Sequence, residues 1–366
     1  MEQYHQLLKE ILGRGDVQFE PRTQEYTLGI SAWQSIYDLR ERFPLMTTKN
    51  VPPRFPFEEL FWKLRGEKNV QSLVKKDIDI WTANAFDRYL KKGGLDKSFP
   101  KHSSAWNEKF ELYKEMLKSS PVSVGNGDLG PVYGFQWRHW KNSRGEEIDQ
   151  LKNLLKNIKE KPGSRYHVLS AWNVGDLSEM ALGPCPFWHQ FTTYKNGVMD
   201  LTMVQRSCDV FLGVPFNIAQ DSLLTHMVAN ETGFNPRFFN HSYNNVHAYL
   251  GVPPRANFWM DEKNVSEFQG RFKEITPKGE YLDLKDWYLK NASPESEGNE
   301  RKDHVPFILE QLSKSPGDLP SIQIKRDVPL LEAINMPAID SEKSIGYARV
   351  IGYKPQKWDS KAIMAA

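Results

Sequence analysis

The chain has 366 residues, 39% of them hydrophobic and 26% charged, with a formal net charge of +2. That is a globular composition, long enough for one large core, and so even a charge balance supplies no overall field for nucleic acid or an anionic membrane. Two cysteines, Cys185 and Cys208, are too few for a disulfide framework and read as free thiols of a reducing compartment.

In chain order, Tyr4, Leu7, Leu8, Ile11 and Leu12 recur at helical spacing, with Gly13 and Gly15 as stop signals. No basic stretch followed by an apolar run opens the chain, so no signal peptide is predicted. No segment approaches the roughly 20 apolar residues of a membrane span, and a cytoplasmic location is expected. Residues 26–36 and 43–48 are β-prone. Residues 57–64 (FEELFWKL) predict a buried helix containing Glu58 and Glu59, with Glu58 expected in solvent. Residues 92–126, polar around a helical patch at 106–117, read as an inserted surface excursion. A compact aromatic stretch at 127–140 precedes a helix at 148–158 and a turn at 161–164. Strands are predicted at 168–172, 187–194 and 198–205, then a long, largely buried helix at 216–230. A second charged insertion spans 252–303; its PESEGNERKD run is too polar for a packed assignment, and a surface lobe is expected. Strands and turns follow from Ser321. The fold class is α+β: a single catalytic domain over 1–366 with insertions at about 92–126 and 252–303, and no internal repeat.

Taken singly, the chemistry-bearing residues remain open. Cys185 in GPCPF suits a nucleophile if cationic neighbours favour its thiolate, yet a lone cysteine is more often buried and inert. Arg206 in QRSCD has the planar fork that grips phosphate, yet most of the 48 basic residues are solvated surface charges. Asn217 accepts and donates at once, or merely caps the helix that starts nearby. Glu59, inside an apolar helix, suits proton shuttling, or is an ordinary solvated carboxylate. Tyr133, Trp81 and Phe216 fit plain core packing equally well. No HExxH pattern or Cys/His ligand spacing is present, so no metal is expected. The GNGDLG run precedes no strand–helix unit, which removes a dinucleotide or P-loop reading.

Several segments change these odds together: RTQEYTLG (22–29), FPLMTTK (43–49), EELFWKLRG (58–66), DLGPVYGFQWRHW (128–140), SRYHVLSAWN (164–173), MALGPCPFWHQF (180–191), QRSCDVFLGVPFNIA (205–219) and NVHAYL (245–250). In order, and along nearly the whole chain, they resemble the thymidylate synthase family; the final IGYKPQKWDSKAIMAA is similar to that family's tail. The resemblance implies a twisted mixed sheet, flanked by helices, that packs against the same sheet of a partner in a homodimer. It implies reductive methylation of dUMP to dTMP, with 5,10-methylenetetrahydrofolate giving carbon and hydride and leaving as dihydrofolate. Cys185 would add to C6 of the uracil ring and make C5 nucleophilic. Glu59 would work through ordered water as the acid–base group, Tyr133 would help remove the C5 proton, and Asn217 would read the uracil edge. The dUMP would be held by Arg22, Arg165, Arg206, Ser207, Cys208, Asp209 and Asn217, with Arg165 reaching the partner's phosphate site. His247 and Tyr249 would bind the sugar 3′-hydroxyl, in preference to the nearby HSY (241–243). The folate would meet Trp81, Asn84, Leu182, Asp209, Gly213, Phe216 and the tail residues Ala365 and Ala366. No DNA or membrane partner is expected.

The chain departs from the family pattern in places. Pro186 follows the nucleophile where the family has His, Tyr166 replaces the second arginine of a pair, Pro52 stands where His is common, and Asn245 replaces Asp. The family's Asn-His after Tyr249 is displaced past the insertion to Asp303–His304. Pro186 keeps open a pyrimidine hydroxymethylase on the same scaffold, in which water adds in place of hydride; Trp81 and the tail oppose it. A non-catalytic nucleotide- or RNA-binding regulator is opposed by the retained Cys185 and Glu59.

Overall fold

Helix α1 (Glu2–Arg14) turns Tyr4, Leu7, Leu8, Ile11 and Leu12 into the core along one stripe, as the spacing predicts. It runs through Gly13 and stops at Gly15. Strands β1 (Asp16–Glu20) and β2 (Glu25–Asp38) form an antiparallel hairpin. The computed structural model describes residues 1–101, 103–121, 126–341, 344–357 and 362.

The β-prone stretch 43–48 forms no strand. Its main chain is held by scattered partners, Phe43 N–H on the Pro320 carbonyl and the Thr47 carbonyl on Gln356 N–H, so no neighbouring strand completes a ladder. Helices α2 (Arg54–Leu64), α3 (Gln71–Val74), α4 (Thr82–Lys92), α5 (Ser104–Ser119) and α6 (Gly134–His139) follow. A short ribbon of β3 (Trp140–Lys141) and β4 (Glu147–Ile148) leads to α7 (Gln150–Glu160). Next come β5 (Val168–Ser170), β6 (Pro186–Thr193), β7 (Val198–Asp209), α8 (Gly213–Thr232) and β8 (Asn235–Tyr249). The rest comprises α9 (Glu262–Glu274), α10 (Glu280–Asn291), α11 (Val305–Leu312), β9 (Ser321–Ile324), α12 (Leu330–Ala333) and β10 (Ala348–Ile351).

The main sheet has six strands in the order β1-β2-β8-β7-β6-β5. Its pairs are antiparallel except β7 with β8, which run parallel. A parallel pair needs a crossover, and α8 provides it. That helix buries Val214, Ile218, Leu223, Leu224, Met227 and Val228 on more than one side, because it lies between the sheet and α2. Gly233, at φ +81°, ends it in the left-handed conformation that glycine adopts without a Cβ penalty. Period-two alternation turns Met199, Leu201 and Met203 of β7 and Phe239, His241 and Tyr243 of β8 inward. The opposite face keeps Thr202, Val204, Asn240 and Ser242 half-buried and leaves Ile36 and Trp188 49% and 36% exposed.

Both segments expected as insertions are more deeply anchored than their composition predicts. In the first, α5 sends Trp106, Tyr113 and Leu117 into a second hydrophobic cluster with Trp62, Phe86 and Leu90. The second corrects the expectation of an unpacked surface lobe: Phe258, Trp259, Phe268, Phe272, Tyr281, Leu284 and Tyr288 all join the main core. Its charges sit on the outer faces of α9 and α10, while aromatic residues at helical spacing face α1 and α11. The lobe is also bolted by polar contacts. Trp259 Nε1 donates to Tyr288 Oη (2.9 Å), and that hydroxyl donates to Asp303 Oδ2 (2.8 Å). Buried Lys302 meets buried Glu25 at 3.2 Å.

Candidate active site

Cys185 lies immediately before β6 and is half-buried. Its N–H donates to Tyr133 Oη (3.0 Å), and its carbonyl accepts from Arg206 N–H (2.9 Å). The Arg206 guanidinium donates to the carbonyls of Pro184 (3.0 Å) and Gly183 (2.6 Å), and its Nη2 stands 3.8 Å from Cys185 Sγ. One arginine therefore both fixes the loop that carries the thiol and sets a positive charge beside the sulfur. Cys208 has the opposite environment. It is wholly buried in the main core, and burial pushes its thiol well above the ordinary value. Its Sγ lies 3.7 Å from the Gln205 carbonyl, so any part it takes in holding dUMP falls to its main chain.

Asn217 sits a full turn inside α8, whose N-cap is Leu212, so it is not a capping residue. Its Oδ1 accepts from Gln205 Nε2 (3.1 Å). Gln205 adjoins Arg206 on β7, and Arg206 bonds the Cys185 main chain. Thiol and amide are thus held on either side of one short stretch of strand. A Cβ on Gly213 would make ordinary contacts, 3.6 Å from Asp209 Cβ and 4.0 Å from Asn217 Oδ1, so the glycine stands between these two side chains. Phe216, on the same turn, packs half-buried against the core.

Asp209 ends β7. Its Oδ1 accepts from Phe211 N–H (2.9 Å) and Leu212 N–H (3.1 Å) and faces His304 Nδ1 at 3.7 Å. Its Oδ2 is buried without a hydrogen-bond partner. Burial raises this carboxyl, but the proximity of His304 and its charge, with the Leu212 N–H, outweigh it and hold the group below the usual range. His247 Nδ1 lies 2.8 Å from Asn245 Oδ1. An amide oxygen only accepts, so Nδ1 carries the proton and Nε2 is left as an acceptor. The Tyr249 ring stands edge-on to His247 and His304 at 5.3 and 5.6 Å. The displaced Asp303–His304 pair is returned to this strand end by the bond from His304 N–H to the Tyr249 carbonyl (2.9 Å). His241, of the HSY segment, is wholly buried and bonds Gln205 instead.

The second wall comes from α2. Glu59 is 5% exposed. Its Oε1 accepts from Trp81 Nε1 (2.9 Å) and pairs with Lys63 Nζ (3.0 Å), and its Oε2 accepts from Gln220 Nε2 (3.0 Å). Lys63 Nζ also donates to Gln220 Oε1 (2.7 Å) and lies 4.7 Å from the Tyr133 ring centre. The Trp81 and Tyr133 rings are 5.2 Å apart. Glu59, Lys63, Trp81 and Tyr133 are one assembly. Lys63 was missed in the sequence, although Glu59 and Lys63 stand at the i,i+4 spacing of a helical ion pair. Tyr133 has φ +36° and ψ −104°, a strained conformation for a residue with a side chain. Beside it, a Cβ on Gly134 would come 1.8 Å from the Lys63 carbonyl, so only glycine lets α6 press this closely on α2. Glu58, expected in solvent, is 5% exposed. It accepts from Lys76 Nζ (2.6 Å) and Ala338 N–H (3.1 Å), because the segment after α12 covers that side of α2.

The remaining expected residues scatter more widely. Arg22 is exposed in the β1–β2 turn and lines a cleft of about 520 Å³ that Asn84, Met180 and Ala181 share; its charge reaches Tyr249. Leu182 packs half-buried on the second hydrophobic cluster, and Ser207 adjoins Arg206 on β7. Arg165 and Tyr166 are exposed ahead of β5, Tyr166 at 89%, and this chain gives neither a contact with Arg206. Ala365 and Ala366 lie outside the described residues. Among the described residues, no group of three or more His, Cys, Asp or Glu is placed to hold a metal. No helix among them is long and apolar enough to cross a membrane.

A thiol beside an arginine, linked through Tyr133 to the assembly that holds a charge-paired buried carboxylate, is the equipment of an enzyme that works through a cysteine nucleophile. A family model described as thymidylate synthase matches residues 2–361. Thymidylate synthase of Listeria monocytogenes is 40% identical over 263 residues, 68% of this chain and 82% of that protein. The Mesoplasma florum enzyme of the same name is 40% identical over 72% of this chain and 86% of its own length, and that of Staphylococcus haemolyticus 39% over 67% and 80%. The chain belongs to the thymidylate synthase family, and its activity is that of a methyltransferase of dTMP synthesis.

Proposed function

We propose that the residues just described carry out the reductive methylation of dUMP, with Cys185 as the nucleophile. The observation that carries this reading is the position of Arg206, which anchors residues 183–185 and brings its charge to 3.8 Å from the sulfur. Cys185 Sγ would form a bond to C6 of the uracil ring, and the electron pair displaced from the C5–C6 bond makes C5 the new nucleophile. Asn217 would accept from N3–H and donate to O4. His247, with a free acceptor at Nε2, and Tyr249 would meet the sugar hydroxyl. Arg206 and Ser207, with Arg22 closing from its turn, would hold the phosphate.

The reduced folate is a co-substrate that supplies the carbon and then the hydride. The chemistry of the donor set fits it. The buried Asp209 Oδ2 is an unspent acceptor for pterin N–H groups, and Trp81 offers an aromatic wall beside the ring system. Glu59, fixed by Trp81, Lys63 and Gln220, would exchange protons through water. Burial, and after it the charge of Cys185, raise the Tyr133 hydroxyl well above its ordinary value, so it stays protonated. Its oxygen already accepts from Cys185 N–H, which leaves its own proton free to orient the water that takes the C5 proton.

The molecule would act as a homodimer. The half-covered face of the main sheet, with Trp188, Val204 and Ile36, is the surface that would meet its copy, and the exposed Arg165 the residue that would cross it. Incubation with dUMP and 5,10-methylenetetrahydrofolate, followed by mass spectrometry, tests the reaction: dTMP and dihydrofolate are expected. Hydroxymethyl-dUMP with tetrahydrofolate would make the chain a hydroxymethylase. Cys185→Ala should lower turnover by at least about three orders of magnitude, since no neighbouring group replaces the thiolate; near-normal turnover would remove the nucleophile from this account.

A further inference from the structure

The HSY segment is not used by the reaction, yet its histidine is bonded directly to the machinery that holds Asn217. His241 is 0% exposed on the inward face of β8, and its Nε2 lies 2.8 Å from Gln205 Oε1. Gln205, itself 3% exposed, reaches Ser207 O (3.0 Å) and Asn217 Oδ1 (3.1 Å) with its other amide atom.

The sense of every bond in this row follows from one main-chain group. The Ser207 carbonyl can only accept, so the Gln205 atom facing it must be the NH₂. The opposite atom of Gln205 is then the oxygen, which also only accepts, so the His241 nitrogen facing it must be Nε2–H. By the same rule, the Asn217 atom that faces the Gln205 NH₂ must be Oδ1, because an Asn217 NH₂ there would set donor against donor. His241 Nδ1 agrees with this tautomer: it is buried with no hydrogen-bond partner, which a bare lone pair tolerates better than an N–H would. Burial, with the charge of His189 adding to it, holds His241 well below its ordinary value. The ring is therefore neutral through the working range.

We infer that His241 is a positioning residue for base specificity: its Nε2–H locks Gln205, and through Gln205 the sense of the Asn217 amide, so that the site takes a uracil-type edge and rejects a cytosine-type edge. This deepens the proposed function and rests on it. Uracil offers a donor at N3 and an acceptor at C4, which the second lone pair of Asn217 Oδ1 and its Nδ2–H match. Cytosine offers the reverse and needs the Asn217 amide turned over. Turning it brings Asn217 Nδ2 against Gln205 Nε2, and Gln205 cannot turn in compensation while Ser207 O and His241 Nε2–H hold both its ends.

The test compares kcat/KM for dUMP and for dCMP in the unaltered enzyme, in His241→Phe, which keeps a ring but removes the donor, and in His241→Gln, which keeps a donor. The dUMP-to-dCMP ratio should fall about tenfold or more in His241→Phe and stay within about threefold in His241→Gln. A folded, active His241→Phe with an unchanged ratio overturns the inference. Should that variant not fold, nitrogen NMR of histidine-labelled unaltered protein decides the matter. His241 is expected as a neutral Nε2–H imidazole that does not titrate between pH 5 and 9, and an Nδ1–H ring would refute the lock. Absence of dUMP turnover in the unaltered enzyme would strike the proposed reaction instead, and the NMR readout separates the two failures.

Discussion

Lys49 is 7% exposed, donates to the Phe211 carbonyl (2.6 Å) and lies 3.6 Å from the Phe211 ring centre. Burial pulls its ammonium down to about 7, and the charge of Asp209 only partly opposes this. Below pH 7 both the folded and the unfolded chain carry the proton, and the folded state bears the full cost of a buried cation. Between pH 7 and the ordinary lysine range the unfolded chain holds the proton while the folded chain has released it. Stability should therefore rise with pH across that window and level off above it. Lys49→Met should flatten the rise, which urea unfolding at pH 7, 8 and 9 would read; an equal slope in the two proteins would locate the effect elsewhere. At the same scale, Glu58 and Glu59 are adjacent and equally buried yet differently employed. Glu58 is used up by Lys76 and the main chain of Ala338, whereas Glu59 shares its bonds with Lys63, Trp81 and Gln220 at the edge of the site.

Among the elements, the 252–303 lobe behaves as part of the core. Phe268 of α9 is wholly buried, its ring 4.8 Å from Trp259 and 5.8 Å from Tyr288. Phe268→Ala should cost about 3–5 kcal/mol of global stability, the range for an aromatic side chain removed from a close-packed interior. Urea unfolding followed by tryptophan fluorescence and by far-UV circular dichroism should give one coincident transition, shifted as a whole. A loss confined to the fluorescence signal would show instead that the lobe melts separately. The coupling has a physical route. The lobe leaves the sheet after Tyr249 and returns at Asp303, where the Leu250–Asp303 bridge and the Tyr288 hydroxyl close its base. Burial raises Asp303 to about 7, against the opposing hydrogen bond from Tyr288 and the charge of Arg255, and its neighbour His304 then faces Asp209.

For the whole molecule, the decisive surface is the sheet face that α8 does not cover. Trp188, Val204, Ser242 and Gln34 form one row across four strands, and Gln190, Thr202, Asn240 and Ile36 the next. A monomer would leave these mixed apolar and hydroxyl rows partly wet, and a second copy would cover them by two-fold symmetry. Trp188→Glu places a charge in the middle of that surface. On the proposed dimer it should give monomers in sedimentation experiments and lower activity in proportion, because the proposed crossing of Arg165 to a neighbouring site would be lost. A fully active monomer would remove both the dimer and the crossing arginine.

Local periodicity was enough to place α1 and α7 and strands β2, β6 and β7, because burial of one face leaves a repeat of 3.6 or 2 in the residues themselves, whereas α8, buried on more than one side, was legible from its long apolar run. What marked out the segments around Cys185, Arg206 and Asn217 was their resemblance to the family's contiguous runs, since each residue taken singly had an equally good structural reading. What the tertiary structure decided was pairing at a distance. Glu58 is charged in the sequence and buried in the fold because Ala338, far along the chain, supplies the N–H it needs. Residues 43–48 have strand-forming side chains but no strand beside them. The second insertion looked polar because charge and aromatic residues alternate around α9 and α10, and only the presence of α1 and α11 determines which side is wet. His241 was set aside as the wrong histidine. Its role depends on Gln205 and Asn217 arriving from β7 and α8, since a hydrogen bond exists only once both partners are held within reach.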